Sequence, residues 1–483
     1  MGRQKLGSYI GKFKYEIYLI IVSFFALVVH IHLASTLNLG NDEAHYYVWS
    51  LKPSLGYLDD APLVGWVIYA FTWLLGKSQL SVRFGAVVFS FLDGFLVYYL
   101  SYILFRNKRA AFFSFLFFLS SVIFGMVLSV MILPDAPLLF FTLLFFIFFY
   151  KALTIDIEEK GTQERGQISN LSPFLKEAGE EKGTDIFYFE EINKSVPFSF
   201  LRGVGRRPTG RSSDGWFDYR EPLLFSVCLS LPVLLFFLAN GYSHRILVHW
   251  PDIGYLAAFP IMGYAADLLT RKLSYRILKY CVYFALFSGF FLSYILYNQI
   301  YYNYIPVGKI IRYIDREKRL KKGGAFSFIP HIPGKPSTAD ITNDLFGWRH
   351  SAKYIGIVYK GYKAVCSPLF ILTHHYAIAD ELVYYGGYKP AVNIYNISGF
   401  LNQYDLWQNL DKINGENALF IMDNKYMLNP VKKYAPYFKS IKKIGRLDIY
   451  VKLRPVRTYY LYLMKDFNAK KAIKHLKVES RMY

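Results

Sequence analysis

The chain has 483 residues, 54% of them hydrophobic and 19% aromatic, with a mean hydropathy of +0.22. Apolar residues in that proportion, gathered in blocks, exclude an ordinary soluble enzyme and indicate an integral membrane protein. The formal net charge of +21 lies largely in short segments flanking the apolar runs, which fits orientation signals and anionic lipid better than nucleic acid.

Arg3, Lys5, Lys12 and Lys14 precede the first apolar run, Tyr15–Leu37. That run exceeds the roughly 20 residues needed to cross a bilayer. It is too long for a signal-peptide core and no small-residue cleavage site follows, so it reads as a retained anchor. The basic flank keeps the N-terminus cytoplasmic and places the next loop, Gly40–Pro62, outside. Leu63–Leu75 is apolar but too short to cross, and reads as an interfacial helix anchored by Trp66 and Trp73. Gln79–Phe105 crosses inward to the basic turn Arg106, Lys108 and Arg109. Ala110–Val130 returns outward, and the run after Pro137 crosses inward again to Lys151.

Composition changes over residues 153–221, which read as a polar, loosely ordered cytoplasmic insert. Pro222–Ala239, Ile253–Leu269 and Tyr280–Ile300 then cross in alternation. Residues 301–483 hold no further span, and short β-prone runs there (Tyr354–Val358, Ala364–Leu372, Ala391–Ile394, Ala418–Met422, Asp448–Leu453) imply an external α/β domain. The expected fold is an α-helical integral membrane bundle of about seven spans plus interfacial helices, with a C-terminal α/β soluble domain. Its parts are an N-terminal membrane module (1–152), the polar insert (153–221), a second membrane module (222–300) and the external domain (301–483). Cys228, Cys281 and Cys366 are odd in number, so no disulfide framework is implied.

The loop Gly40–Pro62 packs Asp42, Glu43, His45, Lys52, Asp59 and Asp60 beside Tyr46, Tyr47, Trp49 and Tyr57. Carboxylates at the mouth of a membrane bundle are costly unless solvated or paired, so they mark a candidate site. The turn Leu133-Pro134-Asp135-Ala136-Pro137-Leu138 and the turn ending His249-Trp250-Pro251 fall on the same face by this count. A transfer onto a hydroxyl or amine needs a carboxylate to take the acceptor proton and cations to hold a departing phosphate. Asp42, Glu43 and Asp135 are candidates for the first task. Lys52, Arg83 and His249 are candidates for the second. Each has a plainer reading: Asp42 and Glu43 as a helix start, Asp59 and Asp60 as a turn and cap, His249 as part of an interfacial belt. Glu43 and His45 alone do not make a metal site.

The segments N-D-E-A-H-Y-Y-V-W-S, L-G-Y-L-D-D-A-P-L-V-G-W, S-V-R-F-G-A-V, M-I-L-P-D-A-P-L-L-F-F and R-I-L-V-H-W-P-D-I-G-Y-L-A resemble the GT-C glycosyltransferases. More narrowly they are similar to the dolichyl-phosphate-mannose–protein mannosyltransferase-like group, which includes the aminoarabinose transferases. F-G-W-R-H, A-D-E-L-V-Y-Y and L-N-Q-Y-D-L-W continue the likeness in the outer domain. The resemblance implies sugar transfer from a polyprenyl-phosphate donor to a lipid, glycan or protein acceptor on the external face of a bacterial inner membrane. It implies no cofactor, or at most a loosely assisting divalent cation, and no nucleic-acid partner. On this analogy Asp42 is the base, Glu43 orients, Asp135 orders the loop or meets the acceptor, and Tyr46 and Tyr57 line the sugar or prenyl chain with Asp59 and Asp60 nearby. Members of the group carry more membrane helices between the counterparts of Tyr150 and Pro222, where this chain has its polar insert. A membrane partner is the implied substitute. The alternative is a catalytically degenerate member that binds a lipid-linked sugar or a partner.

Overall fold

The computed structural model describes residues 3–58, 60–154, 220–241, 249–271, 275–302, 304–307, 310, 313–314, 341–398, 401–451 and 454–479. The insert expected over 153–221 lies, apart from its ends, outside the described residues, as does Asp59. The helices include α1 (Arg3–Thr36), α2 (Asn41–Ser50), α3 (Leu63–Leu75), α4 (Gln79–Phe105), α5 (Lys108–Ser120), α6 (Asp135–Thr154), α7 (Arg220–Gly241), α8 (Asp252–Arg271), α9 (Arg276–Tyr302), α10 (Trp348–Val365) and α11 (Tyr376–Gly386), with further helices at Gln403–Trp407, Pro430–Tyr434 and Ala469–Glu479.

Among the described residues six helices are long and apolar enough to cross a membrane: α1 from Phe13 onward, α4, α6, α7, α8 and α9. The seventh span expected from the sequence is not one straight helix. α5 and the helical stretch Ile123–Val130 are bent by 72° where the sequence reads as one straight run. Ser121 ends α5 in extended backbone, and a π-turn follows over Ile123–Val127. Gly125 permits that turn, since a Cβ there would come within 1.8 Å of the Leu119 carbonyl oxygen. α3 is apolar and too short to span, with Trp66 and Trp73 exposed.

The chain divides into two compact units. The first gathers Met1–Ala26, Phe89–Met126 and Leu138–Phe291. Leu19, Tyr98, Ala111 and Phe115 form a buried cluster there. Gly263 lets α8 approach α5 closely: a Cβ would meet Ser114 Oγ at 2.0 Å and the Ala110 carbonyl at 2.4 Å. Ile20, Phe24, Phe25, Phe148, Phe284 and Phe287 are exposed, as side chains are where the surrounding medium is lipid. At the basic turn, Asn107 donates to Asp267 at 2.6 Å, and Arg109 and Arg271 pair with the same carboxylate at 3.4 and 2.9 Å.

The second unit gathers Leu27–Val88, Val127–Pro137 and Leu292–Tyr483. It contains α2, α3, the turn ahead of α6, and an α/β region with a five-stranded sheet. The strands are β1 (Leu369–Thr373), β2 (Ile394–Asn396), β3 (Asn417–Asp423), β4 (Phe438–Val451) and β5 (Arg454–Phe467), in the order β2-β1-β3-β5-β4. β2, β1 and β3 run parallel; β5 lies antiparallel to both β3 and β4. Phe370, Phe420, Tyr434, Met464 and Phe467 fill its core. The strand expected over Tyr354–Val358 is part of α10 instead. Its buried positions, Trp348, Ala352, Ile355 and Tyr359, recur every three or four residues, which is a helical period. β5, not anticipated from the sequence, pairs along almost the whole of β4.

Candidate active site

Gly40 caps the start of α2, and its N–H donates to Glu43 Oε2 at 2.8 Å. Asp42 and Glu43 thus occupy the first turn, where the helix dipole favours negative charge. The two acids then part ways. Glu43 is fully buried and binds Arg83 through both its oxygens, at 2.7 and 2.5 Å. It also accepts the N–H of Ile132 at 3.1 Å, which brings the Leu-Pro-Asp-Ala-Pro turn against α2. Asp135 is half-buried in that turn, at the start of α6. Arg83 is fully buried, and it donates further to the carbonyls of Leu37 at 2.8 Å and Asn38 at 2.7 Å just past the end of α1.

Asp42 stays exposed. Protein crowded around it removes enough water to push its carboxyl above the usual carboxylate range. His45 and Lys425 pull the other way, while Asp344 and Glu43 add to the rise. An exposed acid with raised proton affinity is suited to accept a proton from a substrate.

Tyr46 donates to Asp60 Oδ2 at 2.9 Å, and burial, then that neighbouring charge, pushes its phenol up. Tyr57 stacks on Trp49 at 4.4 Å and donates to the carbonyls of Trp49 and Lys52, each at 3.0 Å, closing the loop on itself. Lys52 is exposed and lies 4.9 Å over the Trp407 ring. His249 belongs to the first unit, half-buried, with its carbonyl accepting the N–H of Asp252 at 3.0 Å.

The sequence reading missed what the α/β region contributes. In the order β2-β1-β3 the chain leaves β1 toward β2 and returns on its other side as β3, so a topological switch point lies between β1 and β3. Ligands bind such sheets outside the carboxyl ends of the strands at that point. The residues following β1 are His374 and His375; those ending and following β3 are Asp423, Asn424, Lys425 and Tyr426. Asp423 Oδ1 accepts the N–H groups of Lys425 and Tyr426 at 3.1 and 2.9 Å, fixing the turn. Arg457 pairs with Asp423 at 2.6 Å and Asp344 at 2.8 Å, and Lys425 pairs with Asp344. Burial alone would lower the Lys425 ammonium, but Asp344 and Tyr426 outweigh it. His375 stacks on Tyr426 at 3.6 Å.

α11 fastens this region to the first loop. Tyr385 accepts from Leu39 N–H at 2.8 Å and Gln79 Nε2 at 2.9 Å, and the Tyr384 carbonyl accepts from Lys77 at 2.6 Å. Asp380 accepts from His45 Nδ1 at 2.6 Å. The A-D-E-L-V-Y-Y segment supplied a family likeness in the sequence but no contact; its Asp, Tyr and Tyr are the contacts. Among the described residues no group of three or more His, Cys, Asp or Glu stands together as a metal site.

Residues 59–160 match the family described as dolichyl-phosphate-mannose-protein mannosyltransferase. No curated protein matches the chain. Among solved structures, ArnT from Cupriavidus metallidurans in the apo state is similar at 12% identity, covering 93% of this chain and 98% of that one with a TM-score of 0.50. The same protein bound to undecaprenyl phosphate is similar at 14% identity, with the same shares covered and a TM-score of 0.41. The fold is thus the one that the first-loop and Leu-Pro-Asp-Ala-Pro segments imply.

Proposed function

We propose that this chain, a membrane protein of the GT-C fold with a mannosyltransferase-family match over residues 59–160, moves a sugar from a polyprenyl-phosphate donor to a hydroxyl-bearing acceptor. The observation that carries the reading is the divergence of Asp42 and Glu43. One acid is locked into the scaffold by Arg83, and its neighbour is left exposed with a raised pKa, opposite the carboxyl ends of β1 and β3.

In this reading the acceptor oxygen attacks the anomeric carbon as Asp42 takes its proton. The bond from that carbon to the phosphate oxygen breaks, and the electron pair leaves with the polyprenyl phosphate. The charge developing on the phosphate needs cations; Lys52 is exposed, and Lys425 lies within the electrostatic reach of Asp42. Glu43 and Arg83 hold the base in place and stay out of the chemistry. Tyr46, paired to Asp60, and the Trp49–Tyr57 stack supply an aromatic wall beside the base for a sugar or prenyl chain. The basic flanks of the apolar helices support an orientation with the N-terminus cytoplasmic and Asp42 on the outer face of a bacterial inner membrane.

The deciding experiment is Asp42→Asn in membranes, with insertion verified and a polyprenyl-phosphate sugar as donor. Transfer by the parent and its loss in the variant are expected. Equal transfer by both removes Asp42 from the role of base. Binding of the donor by the parent with no transfer makes the chain a degenerate, lipid-binding member.

A further inference from the structure

One buried chain of side chains runs from the α/β region to the helix that bears Asp42. Tyr404, fully buried, donates to Asp380 Oδ1 at 2.7 Å. Asp380, also fully buried, accepts from His45 Nδ1 at 2.6 Å through its other oxygen. His45 is held between rings, with Tyr376 at 4.5 Å and Trp49 at 5.0 Å. It stands three residues after Asp42 on α2, hence on the same face of the helix. A carboxylate that takes one imidazole N–H fixes the ring's orientation and favours its protonated form, as acidic partners of histidine do elsewhere.

We propose that Asp380 is a positioning residue for Asp42: it holds His45 in one orientation and as a cation, and that cation keeps the Asp42 carboxylate available to accept a proton. The proposal rests on the reading of Asp42 as base. It assigns the outer region a part in the chemistry through a residue that touches no substrate. Asp42 is also faced by Glu43 on its own helix, by Lys425 from the turn after β3, and by Asp344 from the 3₁₀ turn Ile341–Leu345. His45 is faced by Asp380 and Tyr376 of α11, by Tyr46 of α2 and by His375 at the start of α11.

Asp380→Asn keeps an oxygen for the His45 N–H and removes the charge. With the full chain in detergent or membranes, the expected result is a loss of kcat on the order of tenfold to a hundredfold. The acidic limb of the kcat/KM profile should move up by about one pH unit, because a nearby cation no longer favours ionised Asp42. His45→Gln should show the same limb, and the double variant no further movement. Tyr404→Phe removes one hydrogen bond from Asp380 but no charge, and should keep the parent's limb. A merely structural Asp380 would lower activity in Asp380→Asn and Tyr404→Phe alike and leave both limbs in place; that result overturns the proposal. If Asp380→Asn fails to fold, His45→Gln alone decides: the parent's limb in that variant is equally fatal. A parent without transferase activity ends the reading of Asp42 as base. The electrostatic link is then read by pH-dependent carbodiimide labelling of Asp42, located by mass spectrometry. An upward-moved midpoint in Asp380→Asn upholds the link, and an unmoved one overturns it.

Discussion

Arg83 grips Glu43 in a two-pronged pair, Nε to Oε1 at 2.7 Å and Nη2 to Oε2 at 2.5 Å, with neither side chain exposed. The same guanidinium reaches carbonyls past the end of α1, which no intrahelical donor can satisfy. Three segments, the end of α1, the start of α2 and the turn at Ile132, therefore depend on one ion pair. Glu43→Gln leaves the guanidinium buried without its counter-charge. Removing one member of such a pair costs about 3–5 kcal/mol. The variant should unfold at a clearly lower temperature in detergent. Arg83→Lys should fare little better, since an ammonium cannot reproduce the planar fork. If Glu43→Gln melts with the parent, the pair is not what holds the loop.

Asp42 predicts a pH profile. Crowding by protein raises its pKa, and a base must be ionised to work. Activity should be present above that raised pKa and fall away as pH drops through it, starting at a higher pH than the ordinary aspartate value of about 3.9 allows. Lys425→Gln removes one of the two cations that oppose the rise, so its acidic limb should lie higher still. The same displacement bears on stability. A carboxyl whose folded pKa is raised contributes stability that is full below its unfolded pKa and is lost as pH rises through the folded one. Asp42→Asn should therefore be inactive and, at neutral pH, at least as stable as the parent. A limb at the ordinary aspartate position contradicts this account.

The sequence exposes the membrane helices because each is an apolar run of spanning length, and it exposes the first loop because acids cluster between two such runs. Apart from the family resemblance, it does not tell Asp42 from Glu43. Adjacent acids look alike in composition, and only the fold shows that Glu43 is paired with Arg83, 40 residues further on and buried in the helix packing. The break at Ser121 is hidden for a related reason: a π-turn and a straight helix have the same apolar composition, and only Gly125 hints at the difference. The placement of Lys425 and Asp380 beside α2 is not legible because a sheet's strand order decides which turns meet, and strand order is not written in any local pattern. The D-N-K-Y turn after an apolar strand was the available signal.

His375 predicts acid sensitivity of α11. Its Nδ1 accepts the Ala377 N–H at 3.2 Å, capping the helix that carries Asp380. Burial, and then His374, with Lys425 and His45 also unfavourable and Asp423 opposing, lower its pKa to about 4. A histidine depressed in the fold stabilises above its unfolded pKa of 6.5, and that contribution is lost as pH falls toward about 4. Protonation also removes the lone pair that makes the cap. Amide exchange at residues 377–380, corrected for its intrinsic pH dependence, should accelerate over that window. His375→Asn keeps a capping oxygen without titrating and should stay protected. Protection that does not change between those pH values in the parent rules the cap out as the sensitive element.

Glu381 predicts the opposite sign. It is fully buried, next along α11 from Asp380, and neither carboxyl oxygen has a hydrogen-bond partner among the described residues. Burial pushes its pKa well above the usual glutamate range; Arg457 opposes the rise, while Glu43, Asp344 and Asp380 add to it. An unsatisfied buried polar group costs about 1–3 kcal/mol, and methionine offers similar length with no such group. Glu381→Met should therefore raise the unfolding temperature. With its folded pKa raised, Glu381 favours the fold fully below its unfolded pKa, and that advantage is lost as pH rises through the folded one. The margin of Glu381→Met over the parent should thus widen toward alkaline pH. Thermal unfolding of both proteins across that range decides the matter. A variant less stable than the parent at every pH would mean that Glu381 is bound by something its burial conceals, and that its carboxyl is part of the site and not a cost carried by α11.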